Sequence, residues 1–199
     1  MKKRIFIAIN FPKKEILTAK LAQMMNEIKQ LPMRWVKPEI LHLTLSFLGE
    51  IEENDLAKVK KIVEKIASLY PPFVINLSGI GIFPDFKKPR ILWIGAQEET
   101  GTLIKLQENL RQELVAAGFT LEEKKYQPHI TIGRIKEKLF SSGIKTIQQF
   151  CQKYSQANFG ESFIESIDVM ESMLLSNGPV YRVLETIPLT LPSPTRGKD

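Results

Sequence analysis

The chain has 199 residues, 43% of them hydrophobic and 25% charged, and its formal net charge is +6. This composition is ordinary for a folded globular protein, and no apolar run approaches the ~20 residues of a membrane span, so a membrane protein is not expected. The basic excess favours phosphate-bearing partners without identifying one, and the clusters at 2–4, 87–90 and 124–125 are interpreted as solvated strand ends and turns. The single Cys151 excludes an internal disulfide and predicts a packing role in a cytoplasmic protein.

Strands and helices alternate along the predicted chain. The N-terminus is interpreted as a strand rather than a signal peptide, because its apolar stretch is short and lacks a small-residue cleavage site. The first half is predicted to contain, in order, a strand at 4–10, a helix after Pro12, a short strand at 34–36, a strand at 41–48, a helix capped by Asn54 and a strand at 73–82. The second half is predicted to contain a strand at 91–94, a helix at 101–117, a strand at 127–135, a helix at 143–157, strands at 161–171 and 180–188, and a disordered tail at 189–199.

The order of elements repeats once along the chain. The two histidines, His42 and His129, lie 87 residues apart, and an offset of that size places Phe6 on Trp93 and Leu17 on Ile104. A period that occurs only twice indicates two related lobes rather than a solenoid. We expect the two lobes to share one continuous core.

Each histidine opens the same short pattern. Residues 42–45 are His-Leu-Thr-Leu and residues 129–132 are His-Ile-Thr-Ile, both in the apolar, β-branched surroundings typical of strands. Residues two apart in a strand project from the same face, so His42, Thr44 and Ser46 are expected to point one way and Phe47 the other. The same rule places His129 and Thr131 on one face. Two such faces in a two-lobed chain can line a cleft between the lobes.

Paired imidazoles and hydroxyls suit acid–base chemistry at a phosphate group. In-line displacement at phosphorus takes a proton from the attacking water on one side and gives a proton to the leaving oxygen on the other. Two imidazoles can provide this base and acid, because the reference pKa of histidine lies near physiological pH. The threonine hydroxyls can hydrogen-bond the non-bridging oxygens. This chemistry requires no metal, and we predict no cofactor.

Three competing roles for the two histidines fit the sequence less well. Two ligands are too few for a zinc site, and neither motif has a nearby Cys, His or carboxylate at ligand spacing. A triad hydrolase needs a nucleophile elbow, which the sequence lacks. Histidines that only satisfy hydrogen bonds inside a sheet would require a coincidence of residue type, spacing and repeat.

Both motifs and their flanks match those of a known family. The matching segments are 4–9, 35–36, 42–49, 81–84, 90–95, 128–134 and 178–181. They resemble the two-histidine phosphoesterases, and within them the bacterial and archaeal RNA 2′,3′-cyclic phosphodiesterases once called 2′-5′ RNA ligases. The resemblance covers the chain to about residue 188.

The resemblance implies a fold and a reaction. The fold is α+β and bilobal with a pseudo-two-fold repeat, in which antiparallel sheets line a central cleft, helices lie outside and residues 1–188 form one domain. The reaction is metal-independent hydrolysis of a terminal 2′,3′-cyclic phosphate to a 2′-phosphomonoester. By the resemblance, His42 protonates the departing 3′ oxygen, His129 accepts the proton of the attacking water, and Thr44 and Thr131 bind the phosphate. The two motifs alone do not distinguish the acid from the base.

The resemblance also points to Arg134 and Tyr126, and the placement of each side chain is open at this stage. Arg134 matches a phosphate-holding arginine, yet strand alternation places it on the face opposite to His129 unless Gly133 permits a bulge or a bend. Tyr126 precedes the second motif, where an aromatic ring can stack on a base or pack in the core. Trp35 has the same two interpretations.

Several alternatives stay open at this point. The expected partners are RNA 2′,3′-cyclic phosphate ends or cyclic nucleotides, without a membrane, and the chain is expected to be a monomer. The same site can also run the reverse 2′-5′ ligation, with an RNA 5′-hydroxyl in place of water, or serve a non-catalytic module that binds RNA ends. The sequence does not identify the physiological substrate.

Overall fold

The computed structural model describes residues 1–11, 15–175 and 178–190. Within these residues the elements are β1 (Lys2–Asn10), α1 (Glu15–Glu27), β2 (Met33–Trp35), β3 (His42–Glu52), α2 (Leu56–Ala67), β4 (Phe73–Phe83), β5 (Ile91–Gln97), α3 (Thr102–Ala116), β6 (His129–Ile135), α4 (Ser141–Lys153), β7 (Asn158–Ile164), β8 (Ser166–Leu175) and β9 (Gly178–Pro188). None of the helices in this part of the chain has the length and apolarity that a membrane crossing requires.

The strands form one antiparallel sheet with a symmetric order. Eight strands follow the path β7-β4-β5-β6-β3-β1-β8-β9, and β2 pairs with β6. The centre of this path lies between β6 and β3, which each open with a histidine. We call β3, β1, β8 and β9 the His42 lobe, and β6, β5, β4 and β7 the His129 lobe. The expected bilobal α+β fold with a pseudo-two-fold repeat is confirmed, with one sheet spanning both lobes.

The chain crosses between the lobes, which the sequence repeat did not indicate. After α2 it leaves the His42 lobe to form β4, which pairs with β5 and β7. Near its end it returns to the His42 lobe, where β8 pairs with β1 and β9 pairs with β8. Each lobe therefore contains strands from distant parts of the sequence, and the two lobes share one hydrophobic core.

The helices cover one face of the sheet through apolar stripes. In α2, Val59, Val63 and Ile66 recur at helical spacing and are fully buried. Sheet residues such as Leu43 and Ile130 belong to the same core, so the opposite face of both motif strands is left for a cleft. Cys151 also lies in this core, where burial raises the pKa of its thiol to about 12, so its predicted packing role is confirmed.

Several element boundaries differ from the prediction. Strand β3 runs to Glu52 through the predicted turn, and Asn54 lies in a 3-10 turn before Asp55, so it does not cap α2. The segment 161–171 divides at Glu165 into β7, at one end of the sheet path, and β8, next to the last strand at the other end. Ile104 is 38% exposed whereas Leu17 is buried, so their predicted equivalence is wrong.

The end of the domain lies slightly beyond residue 188. Leu189 is 5% exposed, and its amide donates to the carbonyl of Glu165. The amide of Thr190 donates to the carbonyl of Ala67 at the end of α2. The rest of the predicted tail, 191–199, lies outside the described residues.

Candidate active site

The two motif strands meet at their first residues. Leu43 pairs with Ile130, and both side chains are fully buried. Extending this antiparallel register by one residue on each side places His42 opposite Thr131 and Thr44 opposite His129. Directly opposed residues have Cβ atoms about 5 Å apart and diagonal ones roughly 7–8 Å. Each histidine is therefore a cross-strand neighbour of the other motif's threonine.

Both histidines are held in the same way by their own backbone. His42 Nδ1 lies 2.8 Å from the carbonyl oxygen of Ile40, and His129 Nδ1 lies 2.7 Å from that of Gln127. A carbonyl oxygen only accepts, so each Nδ1 carries the donated proton. In the neutral ring the other nitrogen, Nε2, is then unprotonated and can accept a proton, whereas in the imidazolium it can donate one.

Aromatic rings fix the orientation of each imidazole. The ring of His42 lies 5.0 Å from that of Phe6 and 5.1 Å from that of Tyr181, the latter edge to face. The ring of His129 lies 4.9 Å from Phe83 and 6.2 Å from Trp93. These distances are those of favourable aromatic pairs. Phe6 and Trp93, which the sequence offset placed on each other, thus both contact the histidine of their own lobe.

Matching β-bulges change the facing of both motif strands. Ile7 pairs with Ser46 but Ala8 pairs with Thr44, so β3 has one extra residue there. On the other side Leu92 pairs with Gly133 but Trp93 pairs with Thr131, so β6 has one extra residue at the matching place. A bulge shifts all later side chains to the opposite face. The residue five positions after each histidine therefore faces the cleft.

The bulges correct one expectation and resolve another. Ser46 is 8% exposed and does not line the cleft, whereas Phe47 is 41% exposed and does, so their predicted facing is wrong. In the other lobe Arg134 lines the cleft with Thr131, as the bend considered at Gly133 allows. A Cβ on Gly133 would lie 2.9 Å from the sulfur of Met33, so the Met33 side chain on β2 packs closely over this position.

The cleft between the lobes has a volume of about 660 Å³ and is strongly basic. Four of its lining residues are cationic: Arg4, Arg34, Lys37 and Arg134. Arg34 on β2 pairs directly with Arg134 on β6. Two like charges placed opposite each other repel, and an anion between them removes that cost. The pair therefore concentrates positive charge at this part of the cleft wall.

The predicted site residues are divided between the cleft wall and its border. His42, Thr44, Thr131 and Arg134 line the cleft. His129 is not among the lining residues; the strand register places it across from Thr44, and its ring contacts those of Phe83 and Trp93. Tyr126 does not line it, and its hydroxyl donates to the carbonyl of Thr44 at 3.3 Å while its ring packs against the core.

The electrostatic surroundings of His129 favour its neutral form. Burial lowers the pKa of this imidazole below its ordinary value, the hydrogen bond to Gln127 opposes that shift, and the positive charge of Arg134 lowers the pKa further. His129 is thus ready to accept a proton at neutral pH.

Burial also raises the pKa of the Tyr126 phenol, which stays protonated as a donor.

Some cleft residues were not anticipated as site residues. Phe6, Phe47 and Tyr181 form an aromatic wall beside His42, and the guanidinium of Arg4 lies 5.0 Å from the ring centre of Phe47. The sequence signal for these residues was position alone, since 4–9, 42–49 and 178–181 belong to the segments that match the family. Trp35, for which both stacking on a base and packing in the core were considered, lines the cleft next to Arg34 and also packs against the core.

The described residues contain no group of three or more His, Cys, Asp or Glu side chains placed to hold a metal ion. The two histidines lie among threonines, arginines and aromatic rings. That the protein needs no cofactor stays a prediction.

The chain is similar to known proteins of one family. The family pattern described as "AKAP7 2'5' RNA ligase-like domain" matches residues 5–189. A curated protein of Aquifex aeolicus named RNA 2',3'-cyclic phosphodiesterase is 38% identical over 153 residues, which are 76% of this chain and 79% of that protein. A protein of the same name from Methanocaldococcus jannaschii is 34% identical over 182 residues, 92% of this chain and 98% of that one.

Solved structures share the fold. The crystal structure of TT0787 from Thermus thermophilus superposes with a TM-score of 0.76 at 30% identity, over 94% of this chain and 97% of that one. The structure of Escherichia coli LigT complexed with 3'-AMP has the same TM-score of 0.76 at 22% identity, over 96% and 99% of the two chains. At 22% identity, the similarity to LigT concerns the fold alone.

Proposed function

The chain belongs to the family of the AKAP7 2'5' RNA ligase-like domain, within the two-histidine phosphoesterases, and on that premise we propose that it hydrolyses RNA 2′,3′-cyclic phosphate ends. Relatives from several species carry the name RNA 2',3'-cyclic phosphodiesterase. The product is a 2′-phosphomonoester and a free 3′-hydroxyl.

One observation carries the proposal: two histidines are held alike at the starts of two paired strands whose threonines line a basic cleft. Both donate Nδ1–H to a backbone carbonyl, and each stands across the strands from the other motif's threonine. A cyclic phosphate held between the strands has one imidazole on each side. That placement suits an in-line displacement, which needs a base and an acid on opposite sides of phosphorus.

His129 is the general base in this reaction. Its lowered pKa keeps Nε2 unprotonated, so it can take a proton from the attacking water. The water oxygen forms a bond to phosphorus while the bond from phosphorus to the 3′ oxygen breaks. His42, in its protonated form, gives its Nε2 proton to that oxygen. Proton exchange with solvent then restores both rings.

The remaining cleft residues bind the substrate. The hydroxyls of Thr44 and Thr131 donate to the non-bridging oxygens, whose charge grows in the transition state. The guanidiniums of Arg134 and Arg34 neutralise the phosphate through charge-assisted hydrogen bonds. The exposed face of Phe47 offers a stacking surface for the terminal base.

The test is hydrolysis of a nucleoside 2′,3′-cyclic phosphate in excess EDTA, with the product isomer identified by mass spectrometry and NMR. Turnover to the 2′-phosphate is expected, and it should be lost in His42→Ala and in His129→Ala. Lys105→Gln, an exposed substitution on α3, is the matched control and should keep full activity. Persistent activity in a folded double-histidine variant would contradict the proposal.

Three further properties of the protein, its domain extent, its location and its oligomeric state, are proposed beside this reaction. A single domain over 1–188 is supported by the shared core, which extends to Leu189. A cytoplasmic location is supported by the single, buried Cys151. A monomeric state stays a prediction, to be measured by light scattering.

A further inference from the structure

A second basic pocket lies outside the catalytic cleft. It has a volume of about 270 Å³ and is lined by Lys87, Lys88, Pro89, Arg90, Lys138 and Leu139. Four of these six residues are cationic, and the buried Pro89 and Leu139 form an apolar floor. Asp85 and Glu137, the carboxylates of the same two segments, are not among its lining residues. The pocket therefore gathers four positive side chains around two buried apolar ones.

The cations of this pocket differ from the five lysines of the protein that form ion pairs. Lys3, Lys60, Lys65, Lys124 and Lys153 each form an ion pair with a glutamate. Among the described residues, no ion pair involves the four cations of the pocket. Like charges gathered without counter-ions repel one another, and an anionic ligand relieves that repulsion.

The sheet connects this pocket to the catalytic cleft. Arg134 of the cleft pairs with Ile91 on β5, and Arg90 is the residue just before Ile91. The amide of Ile135, just after Arg134, donates to the carbonyl of Arg90. Adjacent strands lie ~5 Å apart, so the backbones of Arg90 and Arg134 are close neighbours. Arg90, which lines the pocket, therefore lies one strand spacing and one residue away from Arg134, which lines the cleft.

The hydrogen bonds of the loop at 85–90 indicate which kind of anion fits this pocket. Small phosphate groups are commonly held by backbone N–H groups that point into a concave loop. Here the amides of Lys87 and Lys88 both donate to Asp85 Oδ1, at 2.7 and 3.0 Å. The pocket therefore offers flexible side-chain charges rather than a backbone cradle. Such charges suit the backbone of a nucleic-acid strand, which is held by counter-ion replacement.

From these observations we propose that the pocket binds backbone phosphates of the RNA strand upstream of the cyclic end. The proposal rests on the proposed function, since the cyclic phosphate must occupy the cleft for the strand to leave it past Arg134. It makes the preferred substrate an oligoribonucleotide with a 2′,3′-cyclic phosphate rather than a mononucleotide. Lys87, Lys88 and Lys138 then act on the binding of the strand and not on the chemical step.

The experiment compares two substrates, cytidine 2′,3′-cyclic phosphate and a single-stranded hexaribonucleotide with the same cyclic end. The variant Lys87→Gln/Lys88→Gln/Lys138→Gln removes three charges and leaves neutral, polar side chains in their place. The matched control, Lys29→Gln/Lys61→Gln/Lys105→Gln, removes three exposed lysines elsewhere on the protein. For each protein kcat/KM is measured for both substrates between 50 and 300 mM KCl.

The wild type is expected to favour the hexanucleotide by tenfold or more. The pocket variant should lose most of that preference and keep its rate on the mononucleotide within twofold. The slope of its log kcat/KM against log salt should be shallower by ~0.7 for each phosphate that is no longer bound. Equal rates of the pocket variant and the control variant on the hexanucleotide would overturn the inference, as would a wild type without preference. A wild type that hydrolyses neither substrate would instead contradict the proposed function.

Discussion

The His42 lobe and the His129 lobe hold their histidines by the same backbone device and surround them with different side chains. In each lobe the imidazole donates Nδ1–H to the carbonyl two residues earlier, and aromatic rings pack against it. In each lobe a bulge turns the residue five positions after the histidine toward the cleft. That residue is Phe47 in one lobe and Arg134 in the other.

This difference places a guanidinium near His129 at the position where the His42 lobe has a phenyl ring. Burial is the main cause of the lowered pKa of His129, and the positive charge of Arg134 lowers that pKa further. In the His42 lobe the matching position holds an aromatic ring with Arg4 stacked on it. A symmetric backbone arrangement thus carries a cation in one lobe and an aromatic ring at the matching position of the other. Substitutions at these positions are expected to separate the contributions of the two lobes.

Replacing each histidine should have large but distinguishable effects. His42→Ala and His129→Ala are each expected to lower kcat/KM on a cyclic phosphate by ~10²–10⁴-fold, the usual contribution of a general acid or base. A p-nitrophenyl nucleoside phosphate has a leaving group that departs without protonation, so it should restore much of the activity of His42→Ala but not that of His129→Ala. Rescue of His129→Ala alone would reverse the assignment of acid and base.

The two threonines should contribute almost equally. Thr44→Val and Thr131→Val keep the shape of the side chain and remove one donor to the phosphate, for an expected loss of ~10²-fold in kcat. Steady-state kinetics, with thermal unfolding as the control for stability, measure both. A loss confined to one of the two variants would show that the phosphate does not lie symmetrically between the motifs.

Arg134 should affect both substrate binding and the pH profile. Arg134→Gln removes a charge-assisted contact worth about 1.5–3 kcal/mol, which corresponds to a loss of ~10–100-fold in kcat/KM. The base must be deprotonated, so activity rises with pH through the pKa of His129, and that pKa lies below its ordinary value. Without the positive charge the pKa rises, and the acidic limb of kcat/KM against pH should move to higher pH.

Phe47→Leu is the matched control for this experiment, because Phe47 occupies the same position in the other lobe. It should raise KM through the loss of stacking and leave the acidic limb where it is. An unchanged limb in Arg134→Gln, or an equal shift in Phe47→Leu, would mean that Arg134 does not set the pKa of the base.

Tyr126 should affect stability and not substrate binding. Its hydroxyl donates to the carbonyl of Thr44, so Tyr126→Phe is expected to lower the free energy of unfolding by about 1 kcal/mol and to leave KM unchanged. Tyr126→Leu removes the ring and should destabilise the protein further. Urea denaturation and KM on the hexanucleotide test both variants, and an increase in KM for Tyr126→Leu would favour stacking on a base.

The sequence predicted the parts of the protein that depend on local pattern. The apolar stripe of α2 and the end of α3 before Gly118 follow from helical periodicity and glycine conformation. The cleft facing of His42 and Thr44 follows from the alternation of a strand. These properties require only neighbours within a few residues.

Local pattern failed where distant strands decided the outcome. The alternation rule placed Ser46 in the cleft and Phe47 in the core, because the bulge in β3 depends on its pairing with β1. The division of 161–171 into β7 and β8 had no local turn signal strong enough to predict it. Arg34 became a site residue only because β2 pairs with β6 and brings it opposite Arg134.

The amino-acid sequence by itself determined that this protein has two equivalent histidine strands, since residue type and period two are properties of the chain alone. Only the tertiary structure decided how these strands meet, through the pairing of Leu43 with Ile130, and which residues complete the cleft. It also placed the charge of Arg134 beside one histidine and the ring of Phe47 in the matching position of the other lobe. The physical reason is that register, bulges and charge proximity arise from contacts between segments far apart in sequence.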